Sequence, residues 1–199
     1  MHAVIENFAP PALLNSVAAT WPRDDWPHWH RYHDQHSVKL ASKDAHRLPD
    51  AARLVVGWMA GMNLHGLCDR KCFPDLDLHG AGLHAILPGG HLARHLDGAT
   101  HPLTGWRREL NAVLFVDDWD PAWGGDLQFS DEHARWTEAI EPRFNRLVLF
   151  TTGEKAFHEV KPVTGPQPRR TLSLFWWSHA TPESKRDRAE FVTNKSLTP

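Results

Sequence analysis

Cysteine is nearly absent from this 199-residue chain: Cys68 and Cys72, four positions apart, are the only two. A single pair cannot lay down a disulfide framework. It could serve as a zinc half-site or one disulfide, but with no second pair nearby the two are expected to be reduced, structural thiols. Long hydrophobic runs are missing too. None approaches the ~20 residues needed to span a bilayer. The N-terminus, Met1-His2-Ala3-Val4-Ile5-Glu6, lacks a basic region followed by an apolar stretch. No membrane partner is indicated, and a cytoplasmic location is the expectation. There is no excess of one charge: 22 Lys and Arg face 24 Asp and Glu, a formal net charge of −2. Without a basic footprint no nucleic-acid partner is expected, which weighs against a duplex-DNA repair enzyme. No internal repeat or low-complexity tract appears. Gly124-Gly125-Asp126 lacks the lysine and following helix of a phosphate cradle, so it reads as a strand-entry turn.

With 41% hydrophobic residues the chain can bury one substantial core. A single domain over 1–199 is expected, with 1–80 as helical support and rim, 81–180 as a catalytic β core and 181–199 as a C-terminal tail. Pro10-Pro11 sets up a helix from Ala12 to Thr20, stopped by Pro22, with Leu13, Leu14, Val17 and Ala18 on one side. A second helix is expected from Asp50 to about Leu64, burying Leu54, Val55, Trp58, Met59 and Met62, with Gly66 as its cap. Between them Trp26 to His36 carries four histidines and the only tyrosine, Tyr32. Its spacings suit no single strand or helix face, so it reads as a loop over a pocket that touches substrate rather than a second metal site.

From about Leu83 the period changes to short strands separated by Gly, Pro and Asp turns, such as Pro88-Gly89-Gly90 and Asp117 to Pro121. Roughly eight strands over about 95 residues is the rhythm of a double-stranded β-helix, or jelly roll. The fold class is therefore mainly β with supporting α-helices. After Ser178 the pattern turns polar and charged, suggesting a short helix and a surface tail.

Chemistry concentrates at His95-Leu96-Asp97 and at His158 within Phe157-His158-Glu159-Val160. On a strand, residues i and i+2 point the same way, so His95 and Asp97 can reach one metal and a neighbouring strand can bring His158. Two imidazoles and one carboxylate with open positions form the ligand set of non-haem iron(II) oxygenases. Singly, each has a plainer reading: core histidines, and a turn aspartate before Gly98. Their order and company argue otherwise. Gly89 to Asp97 is followed by the apolar strand Arg107 to Val116, the turn and strand Trp123 to Phe129, Pro142 to Phe150, the His158 segment, and Arg169-Arg170-Thr171-Leu172-Ser173-Leu174-Phe175-Trp176-Trp177. This succession resembles the iron(II)/2-oxoglutarate dioxygenases, in particular their prolyl 4-hydroxylase-like branch.

The resemblance implies iron(II) on His95, Asp97 and His158, with 2-oxoglutarate and dioxygen as co-substrates and ascorbate as a further candidate. The family's halogenases have Gly or Ala at the position of Asp97, so its presence implies hydroxylation. The far carboxylate of 2-oxoglutarate calls for a guanidinium, and the family places one where Arg169 and Arg170 stand, at the start of the last strand. Only one can point inward. Arg169 is preferred, because Thr171 and Ser173 share its face and can donate to a carboxylate; Arg170 would instead reproduce a six-residue spacing to Trp176. The plain alternative for the pair is a solvated edge. His84, His91 and Asn111 are secondary pocket candidates. The implied substrate is a prolyl or other side chain of a peptide or protein, or a small amino-acid-like metabolite. The competing class is a non-oxidative, cupin-like metalloenzyme or metal-dependent binding protein on the same barrel.

Overall fold

The computed structural model describes residues 2–42, 44–64, 66–68 and 70–192. In chain order the elements are β1 (His2–Ile5), α1 (Pro11–Ala19), β2 (Trp29–His33), β3 (Val38–Ser42), α2 (Asp50–Ala60), β4 (Phe73–Pro74), β5 (Gly82–Ile86), β6 (Leu92–Leu96), β7 (Arg107–Phe115), β8 (Leu127–Ser130), β9 (Trp136–Ile140), β10 (Leu147–Thr151), β11 (Phe157–Val160), β12 (Arg169–Ser178) and β13 (Glu190–Phe191). They form two antiparallel sheets. The larger runs β1-β10-β7-β12-β5-β3-β2, with β4 attached to β12, and the smaller runs β13-β6-β11-β8-β9.

Period-two alternation divides the apolar residues of the larger sheet between two cores. Leu147, Leu114, Leu172 and Leu83 stand opposite one another across four strands. All four are fully buried on the helix-facing side, together with Leu14 and Val17 of α1 and Val55 and Met59 of α2. Burying one such leucine contributes roughly 1.5–3 kcal/mol, so this row holds the helices to the sheet. On the opposite face Ile86, Phe115, Val148 and Phe150 meet Leu127 and Val160 of the smaller sheet. This second core plugs one end of the sandwich. The other end stays open as the cavity described below, giving the jelly-roll arrangement of strands expected from the turn rhythm.

Four details differ from expectation. α2 ends at Ala60 with Gly61 as its cap, and its buried stripe is Ala52, Val55, Val56 and Met59, leaving Leu54 and Trp58 more than half exposed. One apolar face at i, i+3, i+4 and i+7 suffices to dock a helix on one sheet, and Leu54 and Trp58 lie beside it. Cys68 and Cys72 are joined as a disulfide rather than free. The Trp26–His36 segment is not wholly a loop, because Trp29–His33 is a strand paired with β3. Finally, the C-terminal segment, largely exposed where it is described, is tied back to β6 and carries no helix. Glu190 and Phe191 pair with Leu96 and His95, and no α-helix forms between 181 and 192. Residues 193–199 of the expected tail lie outside the described residues. Among the described residues no helix is long and apolar enough to cross a membrane.

Candidate active site

The site is built on the pairing of β6 with β11, which sets His95 directly opposite His158. Both imidazoles are buried, with ring centroids 4.2 Å apart. Each is fixed in the same way. His95 Nδ1 lies 2.8 Å from the carbonyl oxygen of Ala93, and His158 Nδ1 lies 3.0 Å from that of Ala156. Donation from Nδ1 places the proton there and leaves Nε2 as a bare lone pair, the form in which imidazole binds metal. Asp97 follows β6 and turns back between the rings, with Oδ1 3.5 Å from His95 Nε2 and Oδ2 3.4 Å from His158 Nε2. The three donor atoms lie within 4.8 Å of one another. That donor set, two nitrogens and an oxygen on one side of a shared point, fits a divalent iron with open positions facing the cavity.

The surroundings hold the carboxylate ionised and the His158 imidazole neutral. Burial pushes the Asp97 carboxyl up, but its neighbours His158, His95 and Arg108 outweigh it and hold it well below the usual carboxylate range. Burial, aided by His95, brings His158 down to about 4. Asn111 Nδ2 donates to Asp97 Oδ2, and Arg108 Nη1 stands 3.7 Å from Oδ1. Asn111, flagged in the sequence as a secondary candidate, thus orients the carboxylate. Arg108, whose guanidinium lies over the ring of Phe175 at 3.9 Å, was not singled out there.

A cavity of about 1220 Å³ opens from these three residues toward the larger sheet, where Arg169, Thr171, Ser173 and His84 line it. Arg169 is buried, and its Nε donates to the Gly125 carbonyl at 2.6 Å. The approach requires a glycine: Gly125 has a φ of +77°, and a Cβ there would sit 3.0 Å from Arg169 Cδ. Its buried Nη2 has no hydrogen-bond partner. A guanidinium nitrogen with nothing to donate to, beside the Thr171 hydroxyl, fits a carboxylate arriving from the cavity. Burial lowers Arg169 to about 9, so it stays cationic near neutrality. Arg170, the other arginine proposed for that carboxylate, points to the opposite face. Its Nε donates to Asp117 Oδ2 at 2.8 Å, Nη2 meets Asp117 Oδ1, and Nη1 reaches the Ala18 carbonyl in α1. Strand alternation keeps it out of the cavity. His91 is also outside the lining, its Nε2 lying 3.4 Å from the Gln35 carbonyl oxygen.

The C-terminal segment closes one side of the site. Arg186 Nε donates to the Asp97 carbonyl at 2.7 Å, and the Phe191 ring stacks on His36 and lies 5.2 Å from that of His95. Asp75, His79 and His101 form a second group of metal-ligand type. Its hydrogen bonds assign it another role. His101 Nδ1 accepts from the Leu103 and Thr104 amides at 3.2 and 3.1 Å, which puts its proton on Nε2, facing Asp75. The Asp75 carboxylate therefore gathers N–H donors from both rings and from the His79 amide, an arrangement complete without an ion.

A sequence model described as the 2OG-Fe(II) oxygenase superfamily matches residues 81–178, the stretch from β5 to β12. A PKHD-type hydroxylase from Stutzerimonas stutzeri (strain A1501) is 28% identical over 148 residues, covering 71% of this chain. The chain spans 60% of that relative's length. A Pseudomonas putida prolyl-4-hydroxylase superposes with a TM-score of 0.60 at 24% identity, covering 88% of this chain and 90% of that one. A prolyl hydroxylase from Trichoplax adhaerens, in complex with a hypoxia inducible factor oxygen degradation domain peptide fragment, gives 0.62 at 15% identity, covering 88% and 83%. The family match spans the strands that carry the His-Asp-His face and the buried arginine, and the chain belongs to the 2OG-Fe(II) oxygenase superfamily.

Proposed function

We propose that the protein hydroxylates an aliphatic carbon of a peptide side chain or a small molecule, holding iron(II) on His95, Asp97 and His158 and 2-oxoglutarate between that metal and Arg169. The observation that carries this reading is the pairing of two complementary features across one cavity: three convergent donor atoms on the smaller sheet, and a buried, half-satisfied guanidinium on the larger one. Neither is explained by packing. A non-oxidative metal site would have no use for the second.

Iron(II) with 2-oxoglutarate and dioxygen supplies, in this family, oxidative decarboxylation of the keto acid to succinate and carbon dioxide coupled to substrate oxidation. The chain's own contribution is positional and electrostatic. His95 and His158 present Nε2 lone pairs because their Nδ1 protons are committed to the backbone. Asp97 supplies the anionic donor, steadied by Asn111 and Arg108. Arg169 and Thr171 give the far carboxylate of the keto acid a charged, largely dry seat, where a two-point hydrogen bond fixes direction as well as affinity. Phe191, its ring 5.2 Å from that of His95, covers one side of the metal face.

Two measurements test the reading. Under anaerobic conditions, iron(II) and 2-oxoglutarate added together should produce a weak visible charge-transfer band, and His95→Ala, Asp97→Ala and His158→Ala should each abolish it and succinate release while melting near the parent temperature. Near-normal succinate production in any one of the three would remove that residue from the metal.

A further inference from the structure

Arg169 shares the cavity wall with a second cation. In the larger sheet Tyr32 stands opposite Lys39, and Ile86 opposite Arg169. β3 and β5 pair Leu40 with Ala85, so the same register sets Lys39 beside Ile86. Directly opposed residues project to one face. Tyr32, Lys39, Ile86 and Arg169 therefore make a single cross-strand row, and all four line the cavity that holds the His-Asp-His face. The adjoining row on that face contains His84 and Thr171.

Lys39, like Arg169 and unlike the other two cations packed around the site, has no counter-ion. Arg170 is held by Asp117, and Arg108 has Asp97 at 3.7 Å. Among the described residues, Lys39 Nζ has neither a carboxylate within ion-pair distance nor a hydrogen bond; its contact is the Tyr32 ring, 5.2 Å to the centroid. Burial depresses its pKa, with Asp97 opposing that shift and Arg169 adding to it, which places the ammonium within the field of both ends of the site. A half-buried cation that lines a cavity without a counter-ion is a seat for an anionic group, and that partner is expected to arrive with a ligand.

That ligand is not the co-substrate. On the functional reading above, on which this inference rests, one carboxylate of 2-oxoglutarate goes to the metal and the other to Arg169, leaving no anionic group for Lys39. We infer that Lys39 receives a carboxylate of the primary substrate, and that the substrate is a small free acid bound between the metal face and the Tyr32 wall. Size supports an acid over the middle of a peptide. Only the inner end of the row, Ile86 and Arg169, is buried, so Lys39 stands between that end and the exposed Tyr32 at the sheet edge, and the metal side is narrowed by Phe191 against His36 and by Arg186 on the Asp97 carbonyl. A carboxylate that reaches Lys39 while a carbon faces the metal belongs to a short molecule. His30 and Tyr32, whose rings meet edge to face at 4.3 Å, give that molecule an aromatic side wall.

The experiment uses the full-length protein loaded with manganese(II), which does not turn over, and saturated with 2-oxoglutarate. Free α-amino acids and short aliphatic acids are titrated against their methyl esters and against peptides with both termini blocked, following tryptophan fluorescence and ligand-observed NMR. At least one free acid should bind, its ester should bind at least about thirtyfold more weakly, and Lys39→Met and Lys39→Gln should lose the acid by a similar factor, as expected for losing a buried charge contact. Both variants should keep the affinity for 2-oxoglutarate within about threefold. Equal binding of acid and ester, binding of blocked peptides alone, or no binding across the panel would overturn the inference. So would a Lys39→Met affinity for 2-oxoglutarate as weak as that of Arg169→Ala, which would give Lys39 to the co-substrate. Failure of the parent protein to bind 2-oxoglutarate at all would instead remove the functional reading beneath it.

Discussion

Adjacent residues on a strand face opposite ways, and Arg169-Arg170 shows how far that separates two identical side chains. Arg169 is buried with an idle Nη2 and lines the cavity, whereas Arg170 is tied to Asp117 and the end of α1. Arg169→Ala should weaken 2-oxoglutarate binding roughly thirtyfold to several thousandfold, the equivalent of about 2–5 kcal/mol for losing a buried charge contact. Arg170→Ala should leave that affinity within about threefold and act instead on folding stability, because its carboxylate partner is structural. Titration of the charge-transfer band gives the first quantity and urea denaturation the second. A large binding defect in Arg170→Ala with little change in Arg169→Ala would reverse the assignment. The pair also marks a limit of the sequence. That His95, Asp97 and His158 converge was legible because i, i+2 spacing and residue type carry the signal locally. Which arginine points inward was argued only from the hydroxyls beside it, since β12 is buried on both faces and period-two hydropathy is erased there.

At the scale of elements, the strands between Leu83 and Ser178 were readable from their turns, while the two pieces that complete the site were not. β3 delivers Lys39 from a region that read as rim, and an inward lysine on a short strand leaves no periodic trace. β13 is two residues long and held by backbone pairing, by Arg186 on the Asp97 carbonyl and by the Arg186–Glu154 ion pair at 3.2 Å, so its polar composition resembles a tail. Its seat depends on Gly98. A Cβ there would meet the carbonyl oxygen of Asp187 at 2.8 Å and its carbon at 2.9 Å, backbone atoms that can yield only by moving the segment. Gly98→Ala should therefore lift residues 186–191 from the ligand strand, raising protease cleavage after Arg186 or Arg188 and weakening metal retention several-fold. The barrel should melt within a few degrees of the parent, since neither hydrophobic core includes this segment. Unchanged proteolysis would show that the segment does not lean on Gly98.

Across the whole molecule, buried ionisable groups couple the site to the stability of the fold. Burial, reinforced by Lys39, lowers His84 to about 3, and burial with His95 lowers His158 to about 4. In the unfolded chain both imidazoles take up protons near pH 6.5. As pH falls below that value the unfolded state binds protons that the folded state refuses, so the free energy of unfolding declines until the folded values are reached. Between about pH 6.5 and 4.5 each imidazole should remove on the order of 2 kcal/mol, at up to 1.36 kcal/mol per pH unit. Asp97, held ionised in the fold, adds a loss in the same direction below about pH 4. Urea denaturation of the chelator-treated protein across this range tests the coupling, with His84→Gln as the informative variant. Replacing the imidazole with an uncharged amide should flatten the pH slope by roughly one proton, while His158 keeps the remainder. An unaltered slope in His84→Gln would mean that His84 titrates normally, and that the cavity wall around Lys39 and Arg169 is wetter than its burial indicates.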